Sequence, residues 1–316
     1  MPIYRLFGRN VAVEPPLVTR VAPSLGGSVD LLVEPMEDLN TSCDPGEPFF
    51  RSAPLAPGDE SWLTAFRSGE RYVLRFADAA DFLIEASRVR VSLRAEGDRA
   101  TAETYLLGIV LALWLERSGS VCLHSSAVAA PAGGIGFLGF NRAGKSSLAA
   151  SFLATGALLL TDDVLALDGS DQGTMLAQPS YPQMRLWPTT AVEFVAAAHE
   201  LEPVHPAFDK KRVPIGGDAG LGAFQDRAVE LRALFLPERG GSEIALSRLS
   251  PRDAAIELVR HSFLGALGEA AIGAGQRFER LIAVAERVPA LRLAYPNGLE
   301  HLPAVRAAIL ERLEAL

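Results

Sequence analysis

One stretch constrains this chain more than any other: Gly139-Phe140-Asn141-Arg142-Ala143-Gly144-Lys145-Ser146. It follows an apolar run, Ile135-Gly136-Phe137-Leu138, and precedes Ser147-Leu148-Ala149-Ala150-Ser151-Phe152-Leu153. Strand, then G-x-x-x-x-G-K-[ST], then helix is the context a phosphate-binding loop requires. The glycines let the backbone curl so that successive N–H groups face an anion, and the helix N-terminus adds its positive end. Gly139, Asn141, Arg142, Ala143, Gly144, Lys145, Ser146 and Ser147 are therefore candidate nucleotide contacts. Lys145 is placed to reach the β- and γ-phosphates, and the Ser146 hydroxyl to ligate Mg2+. Only three of the 30 basic residues are lysines, namely Lys145, Lys210 and Lys211. A compact ammonium suits a phosphate cradle in a way that a planar guanidinium does not.

The 316 residues allow one large domain or two ordinary ones, and an apolar fraction of 49% supplies a real core. Net charge is −8, with the acids dispersed, which argues against nucleic acid as a partner. Cys43 and Cys122 stand in no metal-like spacing and suit a reducing compartment. The N-terminus lacks the apolar core of a signal peptide. The stretch Leu106 to Leu115 is too short, and too closely flanked by Glu103 and Glu116, to span a bilayer. A cytoplasmic protein without a membrane partner is the expectation.

Residues 1–98 read as a β-rich domain. Strands are expected at Ser28–Val33, Arg71–Phe76, Asp81–Glu85 and Arg88–Leu93, with Val73 breaking the alternation, and a proline-rich loop at Glu34–Ser61. This region carries no catalytic constellation and reads as a partner-facing or homo-oligomer-forming module. Thr101 to Arg117 predicts a capped helix with Trp114 on its core face. Val121 to Ala129, a turn at Pro131–Gly134 and the strand before the loop predict a hairpin feeding the phosphate site. Beyond the loop helix, Asp162-Asp163 interrupts the apolar run Ala157–Leu167. Two buried carboxylates are costly without cations or donors. Two readings stand: a strand delivering a carboxylate to Mg2+ beside the phosphates, or a solvated turn. Ser180–Pro188 carries Arg185, and Thr189–His199 reads as helical. Pro203 and Pro206 bracket a loop ending in Asp209-Lys210-Lys211-Arg212, either a solvated face or a phosphate or acidic-substrate contact. Strands at Glu230–Leu236, Ser242–Ser247 and Ala290–Ala294, and helices at Ser250–Phe263, Gly275–Val288 and Pro303–Leu316, complete the chain. His261 reads as an ordinary packing or surface histidine within its helix.

Three elements together resemble a known family. His124 in Leu123-His124-Ser125-Ser126-Ala127-Val128 lies 21 residues before Lys145, and Asp162-Asp163 lie 17 and 18 after it. This arrangement is similar to the catalytic domain of HPr serine kinase/phosphorylase, and more narrowly to the HPr-kinase-like proteins of lasso-peptide maturation clusters. The resemblance covers roughly residues 100–316. It implies an α/β P-loop kinase domain of HPr-kinase type over residues 99–316, a mixed sheet with a hairpin entering the loop and flanking helices, beside the smaller β-rich domain. By position it implies that Asp163 is the general base for an acceptor serine hydroxyl, with Asp162 and His124 orienting it and tuning its charge. The same resemblance implies ATP and Mg2+ as cofactors and Lys145 neutralising the phosphates. The family's second acidic metal ligand stands in a Glu-x-Arg-Gly context; here Gln183-Met184-Arg185 occupies that place, making Ser146, Asp162 and Gln183 the candidate metal ligands. The family's C-terminal signature, rich in Pro, Gly, Arg and Asn, is not recognisable here. Lys210, Lys211 and Arg212 are candidates for a triphosphate or acceptor clamp instead.

The resulting expectation is a kinase that moves the ATP γ-phosphoryl group to a serine of a small peptide or protein, specifically a ribosomally made, lasso-type precursor. The alternatives are an HPr serine kinase/phosphorylase of carbon regulation and a non-catalytic ATP-binding partner of a maturation complex.

Overall fold

The computed structural model describes residues 1–24, 26–37, 46–54, 60–94, 97–205, 208–217 and 220–316. Cys43, Pro206 and much of the expected 34–61 loop lie outside them. Among the described residues no helix is long and apolar enough to cross a membrane.

The chain begins with eight strands: β1 (Ile3–Leu6), β2 (Arg9–Val13), β3 (Leu31–Pro35), β4 (Pro48–Arg51), β5 (Leu63–Ser68), β6 (Arg71–Phe76), β7 (Ala80–Ile84) and β8 (Arg88–Leu93). They form one sheet in the order β1-β2-β3-β8-β7-β6-β5-β4. Val73 breaks the alternation of β6 because both faces of the strand are covered. Tyr72, Leu74 and Phe76 enter the main core, while Val73 packs with Phe66, Leu83 and Met36 on the other side. Strands β1, β2 and β5 were not expected, nor was β4 within the expected loop.

A helical segment follows: α1 (Arg99–Tyr105), a π-helical stretch Leu106–Val110, and α2 (Leu111–Arg117). Asp98 caps it, its carboxylate accepting from the Ala100 and Thr101 amides. The cap lies three residues before the expected Thr101 start. Leu106, Leu107, Val110, Leu113 and Trp114 lie in the same core cluster as the sheet. So do Cys122, Val164 and Tyr181 from beyond the helix. Residues from both sides of the expected 98/99 boundary thus share one core cluster.

The second layer system contains β9 (Val121–Ala130), β10 (Gly133–Leu138), α3 (Lys145–Leu153), β11 (Leu158–Thr161), β12 (Val164–Gly169), β13 (Met175–Gln178), β14 (Gln183–Leu186), α4 (Pro188–Phe194), β15 (Pro203–His205), β16 (Phe208–Pro214), β17 (Ala223–Phe224), β18 (Val229–Arg239), β19 (Ala245–Arg248), α5 (Pro251–Arg260), α6 (Gly265–Ile272), α7 (Ala274–Arg287), β20 (Ala290–Tyr295) and α8 (Leu302–Glu314). The expected hairpin is present: β9 and β10 pair antiparallel from Ser125↔Leu138 to Ala130↔Gly133. On its other edge β10 runs parallel to β18, which runs parallel to β20. The fold is therefore mixed α/β with several sheets. One face of the large sheet packs on α3 and α8, through Leu148, Phe152, Val305 and Ile309. The other packs on α5 and α7, through Leu258, Leu281 and Val284. Each such buried Leu, Val or Phe contributes about 1.5–3 kcal/mol, so these helices hold the loop end of β10 rigidly.

Three other expectations are corrected. The helix at Thr189–His199 ends at Phe194. The segment expected to be a loop ending in Arg212 is strand β16, antiparallel to β14 and β15, because Val213 packs into the core. Helix α6, absent from the expectation, lays Leu267 and Ala271 against the N-terminal sheet's core.

Candidate functional site

The Gly139–Ser146 loop joins β10 to α3. Gly144 has φ +98°, and a Cβ there would lie 2.5 Å from the Tyr295 hydroxyl. Only glycine meets both conditions without strain. No side chain caps the N-terminus of α3, so its first amides remain available to an anion. Lys145 is buried and curls over the loop, donating from Nζ to the Gly139 carbonyl at 2.6 Å and the Phe140 carbonyl at 3.2 Å. Burial pulls its pKa down to about 8, against the opposing pull of Asp162 and Asp163.

Asp162 and Asp163 fill the junction between β11 and β12, which pair in turn with the upper and lower halves of β9. Successive residues of a regular strand point to opposite faces. Asp163 escapes that rule with φ +96°, and both carboxylates then meet the same residue, Arg185. Asp162 is buried and accepts three hydrogen bonds. The Ser146 hydroxyl donates to Oδ1 at 2.8 Å, the Ser126 hydroxyl donates to the same oxygen, and the Arg185 amide donates to Oδ2 at 2.7 Å. The solvated-turn reading is thereby excluded.

Asp163 accepts from Arg185 Nη1 at 2.7 Å, and its other oxygen lies 3.2 Å from His124 Nδ1. Burial alone would raise the Asp163 carboxyl. The Arg185 guanidinium and the His124 hydrogen bond override it and hold the group far below the usual carboxylate range. Burial likewise opposes the charge on Arg185. The Tyr181 hydroxyl and the two aspartates reverse that and leave the guanidinium more firmly protonated than usual. Arg185 Nη2 donates to Tyr181 at 3.3 Å, whereas its Nε is buried without a partner.

Strand β14 presents Arg185 to the aspartates through both amide and guanidinium; Gln183 opens the same strand, opposite Pro214 of β16. The period of two puts Lys210 and Arg212 on one face of β16 and Lys211 on the other. Lys210 lies 5.7 Å from the centre of the Trp187 ring, which Arg142 approaches at 4.9 Å. Lys211 donates to the Leu201 carbonyl at 3.0 Å, and Arg212 donates to the Pro203 and Val204 carbonyls and to Thr104.

Sequence reading missed four neighbours. Ser126 is two residues from His124 on β9, and the strand period could have flagged it. Arg185 reaches the aspartates, and Tyr181 reaches Arg185, only through the crossing of β14. His261 ends α5 and is buried, its ring 4.6 Å from that of Phe140 on the loop. Its backbone carbonyl accepts from the His124 amide at 2.8 Å. Burial, with help from Lys145 and His124, lowers its pKa to about 4, so it sits neutral behind the loop. Among the described residues no group of three or more His, Cys, Asp or Glu side chains could hold a metal by itself.

No family model matches the chain, and no curated protein matches it. Among solved structures, the HPr(Ser) kinase/phosphatase from Coxiella burnetii aligns with 61% of this chain and 97% of its own, at 11% identity and a TM-score of 0.31. At that level the likeness carries no argument about fold or chemistry.

Proposed function

We propose that this chain is an ATP-dependent kinase that transfers the γ-phosphoryl group to a hydroxyl, with Asp163 as the acceptor of the hydroxyl proton. The observation that carries the reading is the carboxylate of Asp163, fixed between Arg185 and His124 beside the Lys145 loop. Phosphoryl transfer asks mostly for positioning and neutralisation of charge. Lys145 supplies the compact positive charge, exchanging the Gly139 and Phe140 carbonyls for phosphate oxygens. The α3 amides supply further donors. In the reaction the bond from the γ-phosphorus to the β-bridging oxygen breaks, a bond to the acceptor oxygen forms, and the acceptor proton passes to Asp163. A carboxylate so firmly ionised is a weak base, so Asp163 serves chiefly to orient the hydroxyl and takes the proton as transfer completes.

Ser146 and Asp162 fit the Mg2+ that accompanies a nucleoside triphosphate. They offer hard oxygen donors 2.8 Å apart, and Mg2+ characteristically takes one or two protein oxygens, with phosphate and water completing its shell. The ion would neutralise charge on the phosphates.

The serine and peptide parts of the proposal rest on the resemblance carried by His124, the loop and Asp162-Asp163, as does the choice of a short, lasso-type precursor peptide. Incubation of the chain with Mg2+, ATP and precursor peptides, followed by mass spectrometry, tests it. A phosphate on a peptide serine that disappears with Asp163→Asn is the expected result. Nucleotide hydrolysis with no transfer to any hydroxyl overturns it.

A further inference from the structure

A cavity of about 540 Å³ opens beside the loop and is lined by Arg142, Gly144, Ser147, Trp187, Thr190 and Arg239 among others. Ser146, Asp162, Asp163 and His124 do not line it. It therefore communicates with the loop but not with the carboxylates where transfer is proposed to occur. If the triphosphate ends at Lys145 and Asp163, its other end leaves the loop past Ser147, in the first turn of α3. The Ser147 hydroxyl is 3.3 Å from that of Thr190 in α4, so this wall is fixed by two helices. The volume falls within the range of small-ligand pockets, roughly 300–1,000 Å³.

Trp187 immediately precedes α4, and its carbonyl accepts from the Thr190 and Ala191 amides. Those bonds fix the backbone on which the half-buried indole stands. Arg142 and Lys210 approach the ring at 4.9 and 5.7 Å; the charged residues of the cavity walls are Arg142, Arg239 and the exposed Asp209. An aromatic face among several cations suits a ligand with an aromatic ring at one end and negative charge at the other.

We propose that this cavity seats the nucleoside of the bound nucleotide, its base stacked on Trp187. The inference rests on the kinase reading, because it assumes that the loop holds the phosphates. Arg239, which packs beside Gly144 of the loop, then lies over the phosphate nearest the ribose.

Calorimetry on the full chain with Mg2+, comparing ADP and inorganic pyrophosphate, separates the two claims. Wild type is expected to bind both, with ADP at least tenfold tighter. Trp187→Leu is expected to weaken ADP about tenfold and to leave pyrophosphate unchanged, which also shows that the variant is folded. ADP, but not pyrophosphate, is expected to quench tryptophan emission, because Trp62 and Trp114 pack in the N-terminal core. Equal affinity of wild type for the two ligands, or unaltered ADP affinity in Trp187→Leu, overturns the nucleoside site while leaving the phosphate loop intact. Should Trp187→Leu lose pyrophosphate as well, the quenching of wild type decides: selective quenching by ADP supports the site, and its absence overturns it. Failure of wild type to bind either ligand overturns the kinase reading itself and this inference with it.

Discussion

Asp163 and Arg185 meet at 2.7 Å although Asp163 must hold φ +96° to make the contact. A non-glycine residue in that region costs about 1–3 kcal/mol. The ion pair offsets the strain, and the carboxylate so placed also meets His124 at 3.2 Å.

Replacing the residue separates the two effects. Asp163→Asn is expected to lower phosphoryl transfer by at least about 100-fold while ATP affinity stays within about twofold, as read by kinetics and calorimetry. Asp163→Gly is expected to be more stable than Asp163→Ala by about 1 kcal/mol in urea, since glycine accepts the positive φ freely. The Asp163 carboxyl titrates lower in the folded than in the unfolded chain, whose value is about 3.9. Its stabilisation is therefore complete above about pH 4 and lost progressively below that, as pH falls toward the depressed folded value. Asp163→Asn should flatten this part of the acid-unfolding curve; an unaltered curve would remove the ion pair from the account.

Arg185→Gln leaves the part-buried Asp163 carboxylate with His124 alone. Breaking a buried pair on one side costs about 3–5 kcal/mol, and the partial exposure of both side chains places the expected loss at or below the low end of that range. Arg185→Lys is expected not to restore activity, because one ammonium cannot reach Asp163 and Tyr181 in the same fork. Thermal unfolding and single-turnover transfer measure the two consequences.

Lys145 has a pKa of about 8 in the free chain, set first by burial. Below pH 8 it is charged and ready for phosphate; above pH 8 binding must first take up a proton. ATP affinity is expected to fall by up to about tenfold per pH unit above pH 8, by calorimetry in buffers of differing ionisation enthalpy. The folded value lies below the unfolded one of about 10.4, so the penalty this group places on the free protein sets in as pH falls below about 10.4 and is complete below about pH 8. Lys145→Met should abolish nucleotide binding and raise the melting temperature of the free chain. A lowered melting temperature would show that the carbonyl contacts outweigh desolvation.

Gly144→Ala forces a Cβ to within 2.5 Å of the Tyr295 hydroxyl at φ +98°. Nucleotide binding is expected to be lost, with a destabilisation of about 1–3 kcal/mol. Gly144→Ala in a Tyr295→Phe background should recover part of the stability but not the binding, because the backbone strain remains.

Residues 99–316 alone are expected not to fold. Removing residues 1–98 would expose Leu106, Leu107, Val110 and Trp114, now in one core cluster with Leu74, Phe76 and Phe82. Loss of near-ultraviolet circular dichroism in the fragment is the expected result, and a cooperative melt would contradict it.

The loop, its entering hairpin and its helix were legible because their determinants are local. The glycines, the lysine and the turn at Pro131–Gly134 act within a few residues of one another. The β-rich character of residues 1–98 was legible from β6–β8, whereas β1 and β2 depend on partners and give short, weak patterns. What the amino-acid order determined by itself is the glycine-rich loop at Gly139–Ser146 between β10 and α3, and the two acids that interrupt the apolar run behind it. What only the tertiary structure decided is which charges face those acids. The approach of β14 sets Arg185 against Asp162 and Asp163, and the pairing of β15 with β16 gives Lys211 the Leu201 carbonyl and Arg212 the Pro203 and Val204 carbonyls. Those outcomes depend on pairings between strands, and a shift of register by one residue would present the opposite face.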